Sequence, residues 1–319
     1  MSRIVVTGRI PEPALEKLRT THDVDAWEGS DSISRLELLR RVAGADAIVS
    51  LLTERIDAEL LDAAGPQLKV VANVAVGYDN IDVPACTERG ITATNTPGVL
   101  TEATADIAFG LILMTTRRLG EGERLIRAGQ PWKWGMFFLL GSGLQGKTLG
   151  VVGMGGIGQA TARRAKAFGM EIVYQSRSEI DPATATELGA RRVELDELLA
   201  ISDVVSLHCP YGPSTHHLIG AEQLAAMKGT AYLVNTARGA IVDEAALAHA
   251  LRENQIAGAG LDVFEQEPKV HPWLLEVENV ALVPHLGSAT VETRTAMAVL
   301  AAENTLAVLG GKQPPTPIT

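Results

Sequence analysis

Thr148-Leu-Gly-Val-Val152-Gly153-Met-Gly155-Gly-Ile-Gly158 is the stretch on which the reading of this chain turns. A short β-branched run passes directly into G-x-G-x-x-G, and Gln159 to Phe168 continues as a helical pattern, so strand, tight turn and helix follow without a gap. Each glycine then has a task. Gly153 permits the turn, Gly155 lets the backbone approach a pyrophosphate, and Gly158 allows helix to pack closely on strand. The helix start presents free N–H groups and a positive dipole end to phosphate oxygens. In a chain with 31 glycines the string alone is also compatible with a purely structural turn. The flanking strand and helix favour a dinucleotide-binding unit from Lys147 to Ser178.

The next apolar run, Glu171-Ile-Val-Tyr-Gln-Ser176, ends where a NAD-binding fold sets an acidic residue against the ribose 2′-hydroxyl, about 20 residues past the glycines. Here the place is held by Ser176-Arg177-Ser178. A guanidinium flanked by two hydroxyls suits a 2′-phosphate, which an Asp or Glu would repel. The sequence therefore predicts NADPH in preference to NADH. The plainer reading of Arg177 is a solvated loop cation.

Working outward, short apolar runs alternate with helical stretches: Ile4 to Val6, Ala47 to Ser50, Val70 to Val74, then Leu149 to Val152, Ile172 to Tyr174, Val204 to Leu207, Tyr232 to Asn235 and Gly260 to Val263. Such alternation predicts βαβ units, parallel sheets and an α/β fold. Between the two groups, Ile107, Leu111, Met114 and Leu125 keep helical spacing, which reads as one long connecting helix over Thr101 to Ala128. A Gly- and aromatic-rich loop, Gly129 to Gly143, follows it. Thr290 to Leu309 reads as a further helix, ended by Gly310-Gly311.

A length of 319 residues predicts about two domains, and 46% apolar with 21% charged residues is ordinary globular usage. The net charge of -10 argues against nucleic acid or an anionic membrane as partner, so an anionic ligand needs locally placed cations. Met1 to Gly8 runs straight into a strand, without the pattern of a signal peptide, and no apolar run reaches membrane-spanning length. Cys86 and Cys209 alone make neither a disulfide framework nor a cysteine metal site. A cytoplasmic protein without a metal is the expectation.

Three further strings each follow an apolar run: Val234-Asn-Thr-Ala-Arg238-Gly239, Gly260-Leu-Asp262-Val-Phe-Glu-Gln-Glu267-Pro268 and Val283-Pro-His285-Leu-Gly287-Ser288. Each should sit at the carboxyl end of a strand, the edge where open α/β sheets bind ligands. Reduction of a 2-oxo acid needs a cation for the carboxylate, an acid to protonate the carbonyl oxygen, and a carboxylate that keeps the acid charged. Arg238, His285 and Glu267 meet those needs. Singly, each has a structural reading as surface residue, core histidine or turn; behind a dinucleotide fingerprint the three together favour chemistry. Among the other histidines, His208 is placed near a cofactor, His216 and His217 in a turn, and His22, His249 and His271 at the periphery.

The chain resembles the D-2-hydroxyacid dehydrogenases throughout its length, and among them the glyoxylate/hydroxypyruvate reductases. The resemblance rests on Asn73-Val-Ala-Val-Gly77-Tyr-Asp-Asn80-Ile-Asp82, Asn95-Thr-Pro-Gly98, Thr101-Glu-Ala-Thr104-Ala-Asp106, the Gly fingerprint, Asn235-Thr-Ala-Arg-Gly239, Leu261-Asp-Val-Phe264 and Pro284-His-Leu-Gly-Ser288. It implies a Rossmann cofactor domain, residues 98 to 285, inserted into a flavodoxin-like substrate domain made of residues 1 to 97 and the returning segment 286 to 319. It implies that Arg238 binds the substrate carboxylate and carbonyl oxygen, that His285 donates the proton and that Glu267 keeps His285 charged. By the same carry-over the N–H groups of Val76 and Gly77 receive the carboxylate and Leu52 lines the pocket. Cofactor contacts fall on Thr104, Met154, Gly155, Gly156, Ile157, Ser176, Arg177, Ser178, Cys209, Pro210, Thr215, Thr236, Ala237, Arg238, Asp262, His285 and Gly287, with Asp262 meeting the nicotinamide carboxamide. Gly156 departs from the family, where a larger, often basic residue is usual. Trp132-Lys-Trp134 resembles a segment that closes the partner's substrate pocket across a homodimer; an interface anchor is the alternative.

The resemblance thus implies NADPH-dependent reduction of glyoxylate or hydroxypyruvate. A 3-phosphoglycerate dehydrogenase is disfavoured by the basic 2′-ribose position and by the expectation that no regulatory domain follows residue 319. A dinucleotide-sensing corepressor shares the fold and much of the triad; extended disordered tails, which such a protein carries, are not expected in this acidic chain.

Overall fold

The β-branched runs form two sheets in which every strand pair is parallel. Parallel strands need crossover helices on both faces, which is why the central strands are buried along their whole length rather than alternating. This is seen in a computed structural model that describes residues 1–318. The chain divides into two compact units, Met1–Leu100 with Ala289–Thr319, and Thr101–Ser288. Each unit leaves the other three residues later than the resemblance implied.

The first unit contains β1 (Arg3–Val6), α1 (Glu12–Arg19), β2 (Asp23–Ala26), α2 (Arg35–Val42), β3 (Ala47–Ser50), α3 (Ala58–Ala64), β4 (Val70–Asn73), α4 (Val83–Glu88) and β5 (Thr92–Thr94). Its sheet order is β2-β1-β3-β4-β5, the flavodoxin-like order. The last helix of the chain, Val291–Leu309, returns to this unit, begins under a Thr290 side-chain cap and buries Ala298, Ala301 and Ala302 against the sheet.

The second unit contains α5 (Thr101–Thr116), α6 (Leu119–Arg127), β6 (Thr148–Val152), α7 (Gly156–Ala167), β7 (Glu171–Gln175), α8 (Pro182–Leu188), β8 (Arg191–Arg192), α9 (Leu195–Ile201), β9 (Val204–Leu207), α10 (Ala221–Ala226), β10 (Tyr232–Asn235), α11 (Glu244–Arg252), β11 (Gly258–Leu261) and β12 (Val280–Leu282). The order β8-β7-β6-β9-β10-β11-β12 is doubly wound, and its direction reverses between β6 and β9. Ligands of such sheets bind beyond the carboxyl ends of the strands at that reversal.

Three expectations need correction. The helix expected over Thr101 to Ala128 is two helices, because Arg118 takes a left-handed backbone (φ 53°) and the N–H of Ser142 claims the carbonyl of Thr116 at 2.7 Å. The strand expected from Gly260 starts at Gly258, in register with Tyr232; its Gly-Ala-Gly run carries no β-branched signal. The short strands β2, β5 and β8 add to those expected, since two to four residues with polar side chains among them leave no periodicity to follow.

Candidate active site

The fingerprint turn is shaped by contacts that a side chain would destroy. A Cβ on Gly153 would lie 2.4 Å from the Cys209 nitrogen, and one on Gly158 would lie 2.3 Å from the Gly153 carbonyl oxygen. Gly153 also sits at φ 94°, outside the range of most side chains. Gly155 faces open space, with nothing within 4 Å of a Cβ position. It is the N-cap of α7 and makes no side-chain cap, so the first N–H groups of the helix stay available. The Thr236 hydroxyl is buried and has no partner among the described residues. An open glycine cradle, an uncapped helix start and an orphaned hydroxyl fit a dinucleotide.

Around this turn lie several predicted cofactor residues. Met154 is buried, whereas Gly155, Gly156, Arg177, Ser178 and Pro210 are exposed. Thr104 is buried and its hydroxyl donates to the Gly287 carbonyl at 3.1 Å. Thr215 closes its own turn, donating to Pro210 O at 2.9 Å and accepting the Gly212 N–H at 2.9 Å. Cys209 follows β9, and burial pushes its thiol up to about 11, against a reactive role despite the nearby Arg177 charge. His208, bonded to the Ser206 hydroxyl at 2.8 Å, is pushed down to about 4 by desolvation, so it is neutral at physiological pH.

Three loops at the strand ends bring Arg238, Glu267 and His285 into one constellation, and the backbone explains how. After β10, Asn235 ties the turn: its amide donates to Arg238 O at 2.8 Å and its oxygen accepts the Ala237 N–H at 3.0 Å. A Cβ on Gly239 would lie 1.9 Å from the Phe264 carbonyl carbon, so only glycine lets the Arg238 turn meet the loop that carries Glu267. After β11, the buried Asp262 accepts the N–H groups of Leu286 at 2.5 Å and Gly287 at 2.8 Å, while its carbonyl accepts the His285 N–H at 2.9 Å. Asp262, expected at the nicotinamide carboxamide, thus has a first task as the clamp of the histidine loop. Desolvation raises its carboxyl above the usual value against those two hydrogen bonds.

His285 Nδ1 lies 2.7 Å from Glu267 Oε2, and both side chains are about one-third exposed. Burial pushes the Glu267 carboxyl up, but the His285 hydrogen bond and charge, the Phe264 N–H and the Arg238 charge bring it below its usual value. Glu267 therefore stays a carboxylate beside the imidazole. The Arg238 guanidinium lies back along its own turn, with Nη1 donating to Ala237 O at 2.8 Å.

A pair of carboxylates, Glu244 and Glu265, braces the same loop. Glu244 accepts the Glu265 N–H at 2.5 Å and Glu265 accepts the Glu244 N–H at 3.0 Å, so each carboxylate holds the other residue's backbone. His217 adds a contact to Glu265 at 2.9 Å. Asp243-Glu244 before a helical run is a cap signal, but the reciprocal pairing has no local sequence signature.

In the first unit, the Asn95 amide holds Val76 O at 2.7 Å and the Asn73 amide holds Gly77 O at 3.0 Å. These bonds take the carbonyls and leave the two N–H groups for another acceptor. Leu52 is 39% exposed. Trp134, Met136 and Phe137 are also exposed, at 72%, 72% and 89%, and Trp132 stacks on Phe138 at 6.0 Å. Among the described residues no group of His, Cys, Asp and Glu could hold a metal ion, and no helix is long and apolar enough to cross a membrane.

Comparison with known proteins agrees with this geometry. The profile of the D-isomer specific 2-hydroxyacid dehydrogenase NAD-binding domain matches residues 109–287. The glyoxylate reductase of Thermococcus onnurineus is 51% identical, over 98% of this chain and 95% of its own length. That of Korarchaeum cryptofilum is 52% identical, over 98% and 94%. Among solved structures, the NADPH-dependent glyoxylate/hydroxypyruvate reductase of Sinorhizobium meliloti, in complex with NADP and malonate, superposes with a TM-score of 0.87 at 38% identity, covering 100% of this chain and 97% of that one.

Proposed function

The chain belongs to the D-isomer specific 2-hydroxyacid dehydrogenase family, and from that premise we propose that it reduces a small 2-oxo acid, glyoxylate or hydroxypyruvate, with NADPH as the preferred reductant. The observation that carries the reading is the 2.7 Å contact of His285 with a carboxylate held ionised. The chemistry that a bound reduced nicotinamide would supply is a hydride for the carbonyl carbon. His285, hydrogen-bonded to the Glu267 carboxylate, gives its proton to the carbonyl oxygen, which leaves a 2-hydroxy acid. Arg238 would grip the substrate carboxylate, and within the first unit the Val76 and Gly77 N–H groups would donate to an anion, with Leu52 the apolar side chain offered to a small substituent.

The Met154 to Ile157 turn, the Thr236-Ala237 backbone and the residues Cys209, Pro210 and Thr215 would hold the dinucleotide, and Arg177, between Ser176 and Ser178, would take the 2′-phosphate. The names of the relatives support the substrate class, and the NADP complex of the Sinorhizobium enzyme supports the cofactor. The exposed aromatic segment suits a second copy of the chain, and we read the protein as a homodimer in which Trp134 reaches the partner's substrate pocket.

A panel of glyoxylate, hydroxypyruvate, pyruvate and phosphohydroxypyruvate with NADPH and with NADH tests the proposal. Highest kcat/KM with glyoxylate or hydroxypyruvate and NADPH is expected. Preference for phosphohydroxypyruvate, or equal use of NADH, would refute it. Sedimentation of Trp134→Ala beside the parent checks the dimer: an unchanged dimer with raised KM supports pocket closure, a monomer supports an anchor, and a parent that sediments as a monomer overturns both.

A further inference from the structure

Within this chain the proposed preference for NADPH rests on the Ser176-Arg177-Ser178 loop, and a second arginine lies against that loop. β8 is the outermost strand of its sheet and pairs only with β7, Tyr174 lying opposite Arg192. The Val193 N–H closes that register on Tyr174 O at 2.9 Å. The end of β8 therefore lies beside the end of β7, where the chain turns out into Ser176-Arg177-Ser178. From there the Arg192 guanidinium reaches under the loop, its Nη2 donating to Ser176 O at 2.8 Å and to Arg177 O at 3.4 Å. Its Nη1 lies 3.5 Å from Glu179 Oε1, at the limit of a hydrogen bond, and Glu179 is itself mostly exposed.

Two consequences follow from this geometry. A guanidinium whose Nη2 bridges two consecutive carbonyls braces the backbone that presents Arg177 and the two serines. The bonded carbonyls are dipoles and do not cancel the charge, so Arg192 adds a second full positive charge at this loop, with the long contact to Glu179 its weak counterion. A dianionic phosphate competes with a single exposed carboxylate for that charge on favourable terms. A ribose bearing only a hydroxyl gains nothing from it.

We propose that Arg192 is a second specificity-determining residue for the cofactor: it sets the Ser176–Ser178 loop through its carbonyls and, with Arg177, supplies the positive charge that a ribose 2′-phosphate requires. This rests on the reading of the protein as NADPH-preferring. The expected size follows from one charge acting on a dianion across a hydrated surface at roughly 5 Å, about a tenfold change in affinity. That effect shrinks in high salt.

The test is cofactor binding without substrate, read by quenching of protein fluorescence with NADPH and with NADH, for the parent, Arg192→Gln and Arg192→Lys. Expected for Arg192→Gln is a dissociation constant for NADPH raised about tenfold, with NADH changed less than about twofold. Arg192→Lys, which keeps charge but not the fork, should fall between, and molar salt should narrow the gap between parent and Gln variant. Equal weakening of both cofactors by Arg192→Gln would mean a loop support without specificity and overturns the proposal, as does no change in either. A parent that binds NADPH and NADH equally overturns instead the reading beneath it.

Discussion

Glu267 is held at both oxygens: Oε2 contacts His285 Nδ1 at 2.7 Å and Oε1 accepts the Phe264 N–H at 3.0 Å. The carboxylate is thereby aimed at the imidazole by its own loop. Replacing it with Gln keeps the shape but puts a neutral group in place of the carboxylate. Glu267→Gln should lower kcat/KM about 100-fold or more. His285→Ala should lose at least as much, while Glu267→Gln binds NADPH within about twofold of the parent. Retained activity in His285→Ala would remove it as the proton donor. The Glu267 carboxyl lies below its usual 4.5, so in the parent the pair is intact above that pH and comes apart as pH falls through the depressed value.

Arg238 reaches its position because Asn235 fixes the turn and Gly239 lets it touch the Phe264 backbone. A two-pronged grip on a carboxylate needs the planar fork, which lysine lacks. Arg238→Lys should raise KM for the 2-oxo acid roughly 10- to 100-fold, the worth of one charge-assisted hydrogen bond, and change the NADPH dissociation constant much less. An unaltered KM would move the anion-binding role to other residues.

The reciprocal pair of Glu244 and Glu265 makes a prediction about stability rather than rate. Burial raises the Glu244 carboxyl above its usual 4.5, and the Glu265 charge adds to this against the Glu265 and His271 N–H groups. A carboxyl raised in the folded state holds its proton there more firmly than in the unfolded chain. Unfolding free energy from this group therefore declines as pH climbs from the ordinary value through the folded one. Glu244→Gln keeps an oxygen for the Glu265 N–H and removes the titration, so relative to the parent it should be more stable at pH 8 than at pH 5. Urea denaturation of both proteins at the two pH values decides this, and a difference independent of pH would contradict it.

What the sequence made legible and what it hid divide along physical lines. The fingerprint, the strand ends and the residues Arg238, Glu267 and His285 were readable because each follows an apolar run whose carboxyl end must lie on the ligand edge of a parallel sheet. Arg118 was not, because its left-handed turn depends on Ser142 seizing a helix carbonyl from 26 residues further on. The resemblance implies a cofactor contact for Asp262; its clamp on the Leu286 and Gly287 amides depends on two loops meeting, which local spacing does not record. Arg192 sat unread for the same reason, on a two-residue strand whose importance comes from the neighbour it pairs with.

Two glycines of the fingerprint should respond in opposite ways to the same methyl group. At Gly158 a Cβ would stand 2.3 Å from the Gly153 carbonyl oxygen and 3.1 Å from Val151 Cγ1, both parts of the strand and turn that α7 rests on. Neither can move without opening the turn, so Gly158→Ala should cost about 1–3 kcal/mol of stability, as overpacking does, and weaken NADPH binding with it. At Gly156, the first residue of α7, the nearest atom is Thr101 Oγ1 at 3.5 Å, an ordinary contact. There the methyl restricts the unfolded chain in a conformation the helix already uses, so Gly156→Ala should add roughly 0.4–1 kcal/mol. Its NADPH affinity should stay within about twofold, because the phosphate cradle is built from backbone N–H groups. Thermal unfolding and NADPH titration of the two variants check this together: a Gly156→Ala protein as damaged as Gly158→Ala would mean that the phosphates lie against the Cα of Gly156 itself.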